Sequence, residues 1–211
     1  MTFGGRLAKG FTLILGGARS GKSRFAQQMA KGLGKKVLFV ATGEPLDEEM
    51  ALRIGEHKRI RPENWRTLEI GIKVGQRLRG QIKDADVILL DCITLLVSNI
   101  LTKEDGESLP HCDPFSSSVI ASEAKQSYSA QDMPPEAEKR VIAEMEDLID
   151  CIDRHKSNFI VVSNEVGLGL VPDNKLGRVY RDLLGKANQL LAQHASEVYF
   201  MVSGIPVKIK G

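Results

Sequence analysis

Cysteine is scarce in this sequence, and its pattern excludes the sites that cysteine most often builds. The three cysteines, Cys92, Cys112 and Cys151, are odd in number and none belongs to a CxxC pair. A disulfide framework or a zinc site needs paired or closely spaced thiols, so neither is expected.

No apolar run is long enough to span a bilayer, and the first one leads into a glycine-rich loop instead of a cleavage site. We therefore expect a cytoplasmic protein without a membrane span.

Aromatic residues and an excess of one charge are also lacking. Phe, Trp and Tyr make up 5% of the chain, and 29 basic residues nearly balance 27 acidic ones, for a net charge of +2. A surface that binds nucleic acid usually combines a basic stripe with aromatic residues that stack on bases. Because the composition gives no sign of either, we predict no nucleic-acid partner, and any function of a basic group must be local.

Short apolar runs, in contrast, recur along the chain and predict a parallel sheet. The runs are continuous and rich in β-branched residues, as expected for strands covered on both faces, and helical patterns separate most of them. This alternation predicts an α/β fold with flanking helices, and the lysine-bearing final segment predicts an antiparallel edge strand. The predicted strands cover residues 11–17, 36–43, 86–92, 159–166 and 197–204, and the predicted helices cover residues 22–33, 47–59, 70–80, 93–102, 135–155 and 174–194.

The chain length of 211 residues fits one α/β domain, so we predict a single domain over residues 1–211. Residues 1–10 are interpreted as an N-terminal extension. The segment of about 103–134 contains a stretch rich in Ser and Ala that has no sustained helical or strand period. This segment is therefore predicted to be a surface insertion that is mobile or partly disordered.

The segment GGARSGKS has the spacing of a phosphate-binding loop and lies between a predicted strand and a predicted helix. Its glycines allow successive backbone N–H groups to face one anion, and the helix N-terminus adds a favourable dipole. In this pattern the lysine reaches the β- and γ-phosphates and the last hydroxyl faces Mg²⁺. Asp91, which ends a predicted strand, is suited to hold the magnesium shell, although it could instead cap the following helix. The predicted nucleotide ligands are Gly16, Gly17, Ala18, Arg19, Ser20, Gly21, Lys22 and Ser23, and the predicted metal-linked residues are Ser23 and Asp91.

A phosphate loop indicates nucleoside triphosphate chemistry but names no acceptor. The segment LRIGEHKRIRPENW adds a histidine, His57, at the edge of an apolar helical stripe and among basic residues. A histidine in such a stripe is typical of a packed core group. The surrounding cations, Lys58 and Arg61 among them, disfavour its protonated form, and a neutral imidazole can attack phosphorus. Spacing alone leaves both interpretations open, and the basic residues fit a solvated helix end equally well.

Four long segments carry a resemblance to a known family. They are LILGGARSGKSRFAQ, VLFVATGEPLDEEMALRIGEHKRIRPENWRTLE, VILLDCITLLVSN and VVSNEVGLGLVPDNKLGRVYRDLLGKANQLLAQHASEVYFMVSGIPVKIK. In these segments the chain resembles the bifunctional adenosylcobinamide kinase/adenosylcobinamide-phosphate guanylyltransferases of cobalamin synthesis. The similarity covers nearly everything except the first ten residues and about 103–134, and the second and fourth segments are far more specific than the phosphate loop alone.

The resemblance implies a RecA-like P-loop NTPase fold, two reactions at one nucleotide site and commonly a homotrimer. In the first reaction, the aminopropanol hydroxyl of adenosylcobinamide takes the γ-phosphoryl group of ATP or GTP. In the second, a histidine attacks the α-phosphate of GTP, releases pyrophosphate and holds GMP as a phosphoramidate. Adenosylcobinamide phosphate then takes up the GMP to give adenosylcobinamide-GDP. The implied cofactor is Mg²⁺, with GTP and ATP as substrates.

The family's histidine falls on His57, which the resemblance identifies as the guanylylated residue. Asn164 and Glu165 are predicted to end a strand where ligands bind in open α/β sheets, in either a corrinoid-side or an intersubunit role. Two alternative functions are a kinase-only member, which would have no use for a nucleophile at residue 57, and a RecA-like nucleotide-gated ATPase. The resemblance also implies nucleotide contacts outside the phosphate loop, at Ala41, Thr42, Lys58, Arg61, Glu69 and Asp91.

Overall fold

The computed structural model describes residues 10–43, 52, 55, 58, 59, 61–104, 107, 108 and 135–211. The strands are β1 (Phe11–Gly16), β2 (Val37–Ala41), β3 (Arg66–Glu69), β4 (Val87–Asp91), β5 (Lys103–Glu104), β6 (Glu107–Ser108), β7 (Asn158–Val162), β8 (Glu197–Val202) and β9 (Ile205–Lys210). The helices are α1 (Lys22–Leu33), α2 (Val74–Arg79), α3 (Ile93–Thr102), α4 (Pro135–Asp153) and α5 (Lys175–His194).

A mostly parallel sheet forms the centre of the described structure. Its strand order is β3-β2-β4-β7-β1-β8-β9, and only the β8–β9 pair is antiparallel. Residues of α1 pack into the core on one face, whereas the core on the other face includes residues of α2, α3, α4 and α5. The predicted α/β fold with flanking helices and an antiparallel C-terminal edge strand is therefore confirmed.

The strand β1 anchors the loop that follows it. All six of its residues are buried, with parallel neighbours on both sides, β7 and β8. Truncation of a fully buried leucine or isoleucine in such a strand costs about 2–5 kcal/mol of stability, so β1 fixes where its carboxyl end lies. The segment after Gly16 consequently starts from a rigid position.

Most predicted elements are confirmed, with three differences. The sheet contains β3, which was not predicted because no residue of its sequence RTLE is buried and it forms no apolar run. The predicted helix over 70–80 is shorter, because Lys73 has a φ of 56° and the helix begins at Val74. Glu144 of α4 accepts hydrogen bonds from the backbone N–H groups of Lys73 and Val74 at 3.0 and 2.6 Å, and so caps this helix from a distant part of the chain.

The third difference lies within the predicted insertion, where β5 and β6 form a short antiparallel ladder. Residues 109–134, and the N-terminal residues 1–9, lie outside the described residues, so the predictions made for them stay predictions. The predicted helix over 47–59 is described only at Leu52, Gly55, Lys58 and Arg59, which are helical. None of the helices in the described part of the chain is both long and apolar enough to cross a membrane.

Candidate nucleotide site

The predicted phosphate loop connects the end of β1 to the start of α1. Gly16 and Gly21 have φ values of 149° and 92°, a region of backbone conformation that favours glycine. No side chain caps the first turn of α1, so its N–H groups are not satisfied by a capping oxygen and face the loop. A helix start with this geometry is a ready site for an anion such as a phosphate.

The β8–β9 hairpin packs against the phosphate loop. The N–H of Gly204 donates to the carbonyl of Ser20 at 3.0 Å. A Cβ on Gly16 would lie 2.8 Å from the carbonyl oxygen of Met201, and one on Gly21 would lie 3.3 Å from the Cα of Gly204. Close packing as well as φ therefore requires a glycine at Gly16, and leaves little room for a side chain at Gly21, which the motif alone did not reveal.

Lys22 lies folded over the loop that precedes it. Its Nζ donates to the carbonyl of Gly17 at 2.6 Å and lies 3.5 Å from the Ser20 hydroxyl. Burial lowers the pKa of Lys22, whereas the negative charge of Asp91 acts in the opposite direction. Burial also raises the pKa of the Cys92 thiol to about 11, so this thiol is neutral near pH 7 and the carboxylate of Asp91 is the anion that faces the lysine.

The carboxyl ends of three neighbouring strands bring predicted site residues into one row. Ala41 at the end of β2 is in register with Glu69 of β3 on one side and with Asp91 of β4 on the other. Asp91 pairs in turn with Val162 of β7, the strand that lies next to β1. The phosphate loop, Asp91 and Glu69 therefore occupy the same edge of the sheet, where ligands bind in parallel α/β folds.

Thr42, which follows β2, is buried beneath this row of strand ends and is not exposed at the site. The residue is fully buried, and its hydroxyl donates to the carbonyl of Cys92 at 2.6 Å and accepts from the Cys92 N–H at 2.9 Å. The buried side-chain amide of Asn99 donates to the carbonyls of Thr42 and Gly71 at 2.8 and 2.9 Å. The Thr42 hydroxyl thus positions the segment that carries Asp91, and Asn99 is a supporting residue that sequence analysis missed.

Replacement of Thr42 by valine tests this positioning role. The substitution keeps the shape of the side chain but leaves the N–H and carbonyl of Cys92 without their partner, at a cost of about 1–3 kcal/mol of unfolding free energy. Urea denaturation measures that loss, and Thr42→Ser, which keeps the hydroxyl, should retain most of the stability. Equal stability of the valine variant and the unmodified protein would contradict the role.

Two of the predicted basic residues, Lys58 and Arg61, lie near the carboxylates of this row. Lys58 Nζ lies 2.5 Å from Glu69 Oε1, with both side chains more than half exposed. The guanidinium of Arg61 stacks on the ring of Phe39 at 3.7 Å, and its Nε is buried without a hydrogen-bond partner among the described residues. Burial lowers the pKa of Arg61, against the opposing charges of Asp91 and Glu69. His57, the predicted nucleophile between these residues and the apolar stripe, lies outside the described residues.

The segment after β7 is held against the phosphate loop by hydrogen bonds of its backbone. Glu165 N–H donates to the carbonyl of Gly16 at 3.0 Å. Asn164 N–H donates to the Thr94 hydroxyl at 2.8 Å, and its carbonyl accepts from the Asn188 amide at 2.9 Å. Thr94 and Asn188 carry no motif and come from α3 and α5, so only the fold reveals that they fix Asn164 and Glu165 in place.

The phosphate loop follows β1, and Asp91 ends β4, which is separated from β1 in the sheet by β7. This arrangement defines a RecA-like P-loop NTPase fold. The solved structure of the flagellar accessory protein FlaH from Methanocaldococcus jannaschii is similar, with a TM-score of 0.50 at 13% identity over 99% of this chain and 82% of that chain. Within this class, a family model described as cobinamide kinase / cobinamide phosphate guanyltransferase matches residues 12–209. The chain belongs to this family.

Two curated relatives are similar over nearly their whole length. The bifunctional adenosylcobalamin biosynthesis protein CobU of Escherichia coli (strain K12) is 39% identical over 198 residues, which are 94% of this chain and 98% of the relative. The protein of the same name from Salmonella typhimurium (strain LT2) is 40% identical over 198 residues, with the same coverage. These similarities confirm the family predicted from the four segments of the sequence.

Proposed function

We propose that this protein phosphorylates adenosylcobinamide with ATP or GTP and then transfers GMP from GTP to the phosphorylated corrinoid, in the assembly of adenosylcobalamin. The observation that carries the proposal is the row of strand ends at which the phosphate loop, Asp91 and Glu69 meet. A single row that holds a triphosphate loop and further polar groups suits two reactions of the same nucleotide. Membership of the family supplies the acceptor, which the geometry alone does not name.

The triphosphate would be held by basic groups from both sides of the row. Lys22 exchanges its bond to the Gly17 carbonyl for the β- and γ-phosphates, because a charged acceptor is preferred to a neutral one. The exposed ion pair between Lys58 and Glu69 contributes at most about 1 kcal/mol, so phosphate oxygens can compete for this lysine. Arg61 is held flat on Phe39, and its Nε–H has no hydrogen-bond partner within the described part of the chain.

A magnesium ion is compatible with the oxygen atoms at this edge. Ser23 supplies a half-buried hydroxyl in the first turn of α1, and Asp91 supplies a carboxylate whose charge acts on Lys22. One or two protein oxygens together with phosphates are the ligands that Mg²⁺ prefers. When bound, the ion would neutralise charge on the phosphates, and Ser23 and Asp91 would hold it there.

The guanylyl transfer is assigned to His57 from the family resemblance. A nitrogen of the neutral imidazole forms a bond to the α-phosphorus of GTP, and the bond from that phosphorus to the bridging oxygen breaks to release pyrophosphate. An oxygen of adenosylcobinamide phosphate then bonds to the same phosphorus, and the phosphorus–nitrogen bond breaks to return the imidazole. Lys58 and Arg61 would stabilise the charge that develops on pyrophosphate.

Two assays on the full chain test the proposed function. Incubation with α-labelled GTP and Mg²⁺, followed by denaturation, should leave acid-labile, alkali-stable label on the protein. Incubation with γ-labelled ATP and adenosylcobinamide should label the corrinoid. Corrinoid labelling without protein labelling would leave a kinase-only enzyme, and hydrolysis stimulated by nucleic acid with neither product would replace the proposal with a nucleotide-gated ATPase.

Self-association as a homotrimer stays a prediction from the resemblance. The edge strand β9 supports some form of assembly, because Ile205, Val207 and Ile209 are 66%, 44% and 60% exposed and apolar residues are uncommon on an edge strand that faces water. Light scattering on the purified protein measures the mass directly, and a monomer at all concentrations would contradict the prediction.

A further inference from the structure

A groove runs along α5 beside the phosphate loop, and the function proposed above gives it no role. Its volume is about 690 Å³, within the range of about 300–1,000 Å³ that is usual for small-molecule sites. One face of α5 lines it, because the lining positions recur every three or four residues from Arg178 through Asp182, Gly185 and Gln189. We propose that this groove is the binding site of the corrinoid acceptor, an inference that rests on the proposed function.

The groove begins where the phosphate loop begins. Leu15, the residue before Gly16, lines its upper end together with Glu165. The Glu165 N–H donates to the Gly16 carbonyl at 3.0 Å, so the end of the groove adjoins the first residue of the loop. A substrate that lies in the groove would therefore have one end next to the phosphate loop.

Two arginines lie among the residues that line the groove, where four basic side chains outnumber the carboxylates of Glu165 and Asp182. Arg178 Nη1 donates to the carbonyls of Pro172 and Asp173 at 3.0 and 2.7 Å, and Arg181 Nη2 donates to the carbonyl of Gly167 at 2.6 Å. Across the described residues neither guanidinium forms an ion pair with a carboxylate, so carbonyl dipoles orient both charges without cancelling them. Each guanidinium has five N–H groups, and the remaining ones can donate to phosphate or amide oxygens of a ligand.

The loop that these arginines hold presents apolar side chains to solvent. Leu168, Leu170 and Val171 are 80%, 96% and 67% exposed, and a cluster of large exposed apolar residues marks a surface that binds a partner or ligand. A corrinoid phosphate combines an apolar macrocycle, amide side chains around its rim and an anionic arm. The exposed apolar loop, which continues from the lining residue Gly167, and the polar helix face and arginines of the groove itself match these three parts.

Gly185 provides a substitution that fills the groove without disturbing the core. The residue lines the groove, and apart from the adjacent residues and backbone of its own helix no described atom lies within 4 Å of a Cβ added to it, so a Gly185→Trp side chain extends into the open space. We measure the affinity for adenosylcobinamide phosphate by equilibrium dialysis. The affinity should fall at least about tenfold, whereas the affinity for GTP and the labelling of the protein by α-labelled GTP should stay within about twofold.

Gly80→Trp is the matched control, because it adds the same side chain at an exposed glycine that does not line the groove and has open space around an added Cβ; it should bind the corrinoid as the unmodified protein does. Arg181→Gln removes the charge, so it should weaken binding of adenosylcobinamide phosphate more than binding of adenosylcobinamide. An unchanged affinity of the Gly185→Trp variant for adenosylcobinamide phosphate would overturn the inference. If this variant also changed its molecular mass in solution, the groove would be assigned to contact with a second copy of the chain. Failure of the proposed function appears separately, as absence of both labelled products in the unmodified protein.

Discussion

Replacement of Lys22 by alanine is expected to lower sharply the rates of both phosphorylation of the corrinoid and labelling of the protein by GTP. The proposed function assigns both reactions to a triphosphate at the same loop, and Lys22 is the buried cation of that loop, with its Nζ 2.6 Å from the Gly17 carbonyl. Loss of a group that stabilises developing phosphate charge typically lowers the rate on the order of 10²–10³-fold. Steady-state rates of each half-reaction, measured at saturating nucleotide and corrinoid, test the expectation.

Lys31 provides the control for this variant. It lies in the last turn of the same helix, α1, and its side chain is exposed, so Lys31→Ala removes an equal charge far from the loop and should leave both rates within about twofold, as most surface substitutions do. Thermal unfolding of Lys22→Ala separates a catalytic effect from a loss of fold. If the variant lost the kinase reaction but kept full protein labelling, the two reactions would not share one triphosphate site.

Most strands of the central sheet could be predicted because each is a continuous apolar run in the sequence. The strands β1, β2, β4 and β7 are largely buried apolar runs and β8 is a partly buried one, and their boundaries differ from the predictions by a few residues at most. The strand β3 was missed because it lies at the sheet edge with Arg66, Thr67 and Glu69 exposed. The start of α2 was missed because its capping carboxylate, Glu144, comes from a helix 70 residues further along the chain.

Some residues of the site could likewise be predicted from the sequence, whereas others depend on long-range contacts. The phosphate loop and Asp91 could be predicted from local patterns, whereas the family resemblance added Glu69 and favoured a phosphate role for Lys58 and Arg61. The fold places these residues at one sheet edge or electrostatically close to it. The polar residues behind that edge could not be predicted, since a lone buried Asn99 or Asn188 carries no motif. Their role depends on hydrogen bonds across the sheet to the residues that bear the site.

Replacement of His57 by alanine should separate the two reactions. The substitution removes the only group assigned to the covalent step, so acid-labile label from α-labelled GTP should fall to background and the overall guanylyl transfer should fall at least about 10³-fold, as expected for loss of a nucleophile. Phosphorylation of adenosylcobinamide by γ-labelled ATP should persist, because the phosphate loop and Asp91 are unchanged and the corrinoid hydroxyl attacks the γ-phosphorus directly.

His194→Ala is the matched control for this prediction. His194 Nδ1 lies 3.0 Å from the Leu190 carbonyl on an exposed part of α5, so it is a histidine of the same chain with a local partner and no place at the strand-end row. Label that persists in His57→Ala but disappears in His194→Ala would move the nucleophile to α5. Loss of both reactions in a folded His57→Ala variant would instead mean that this residue supports nucleotide binding, since a nucleophile for the α-phosphate alone has no part in transfer of the γ-phosphoryl group.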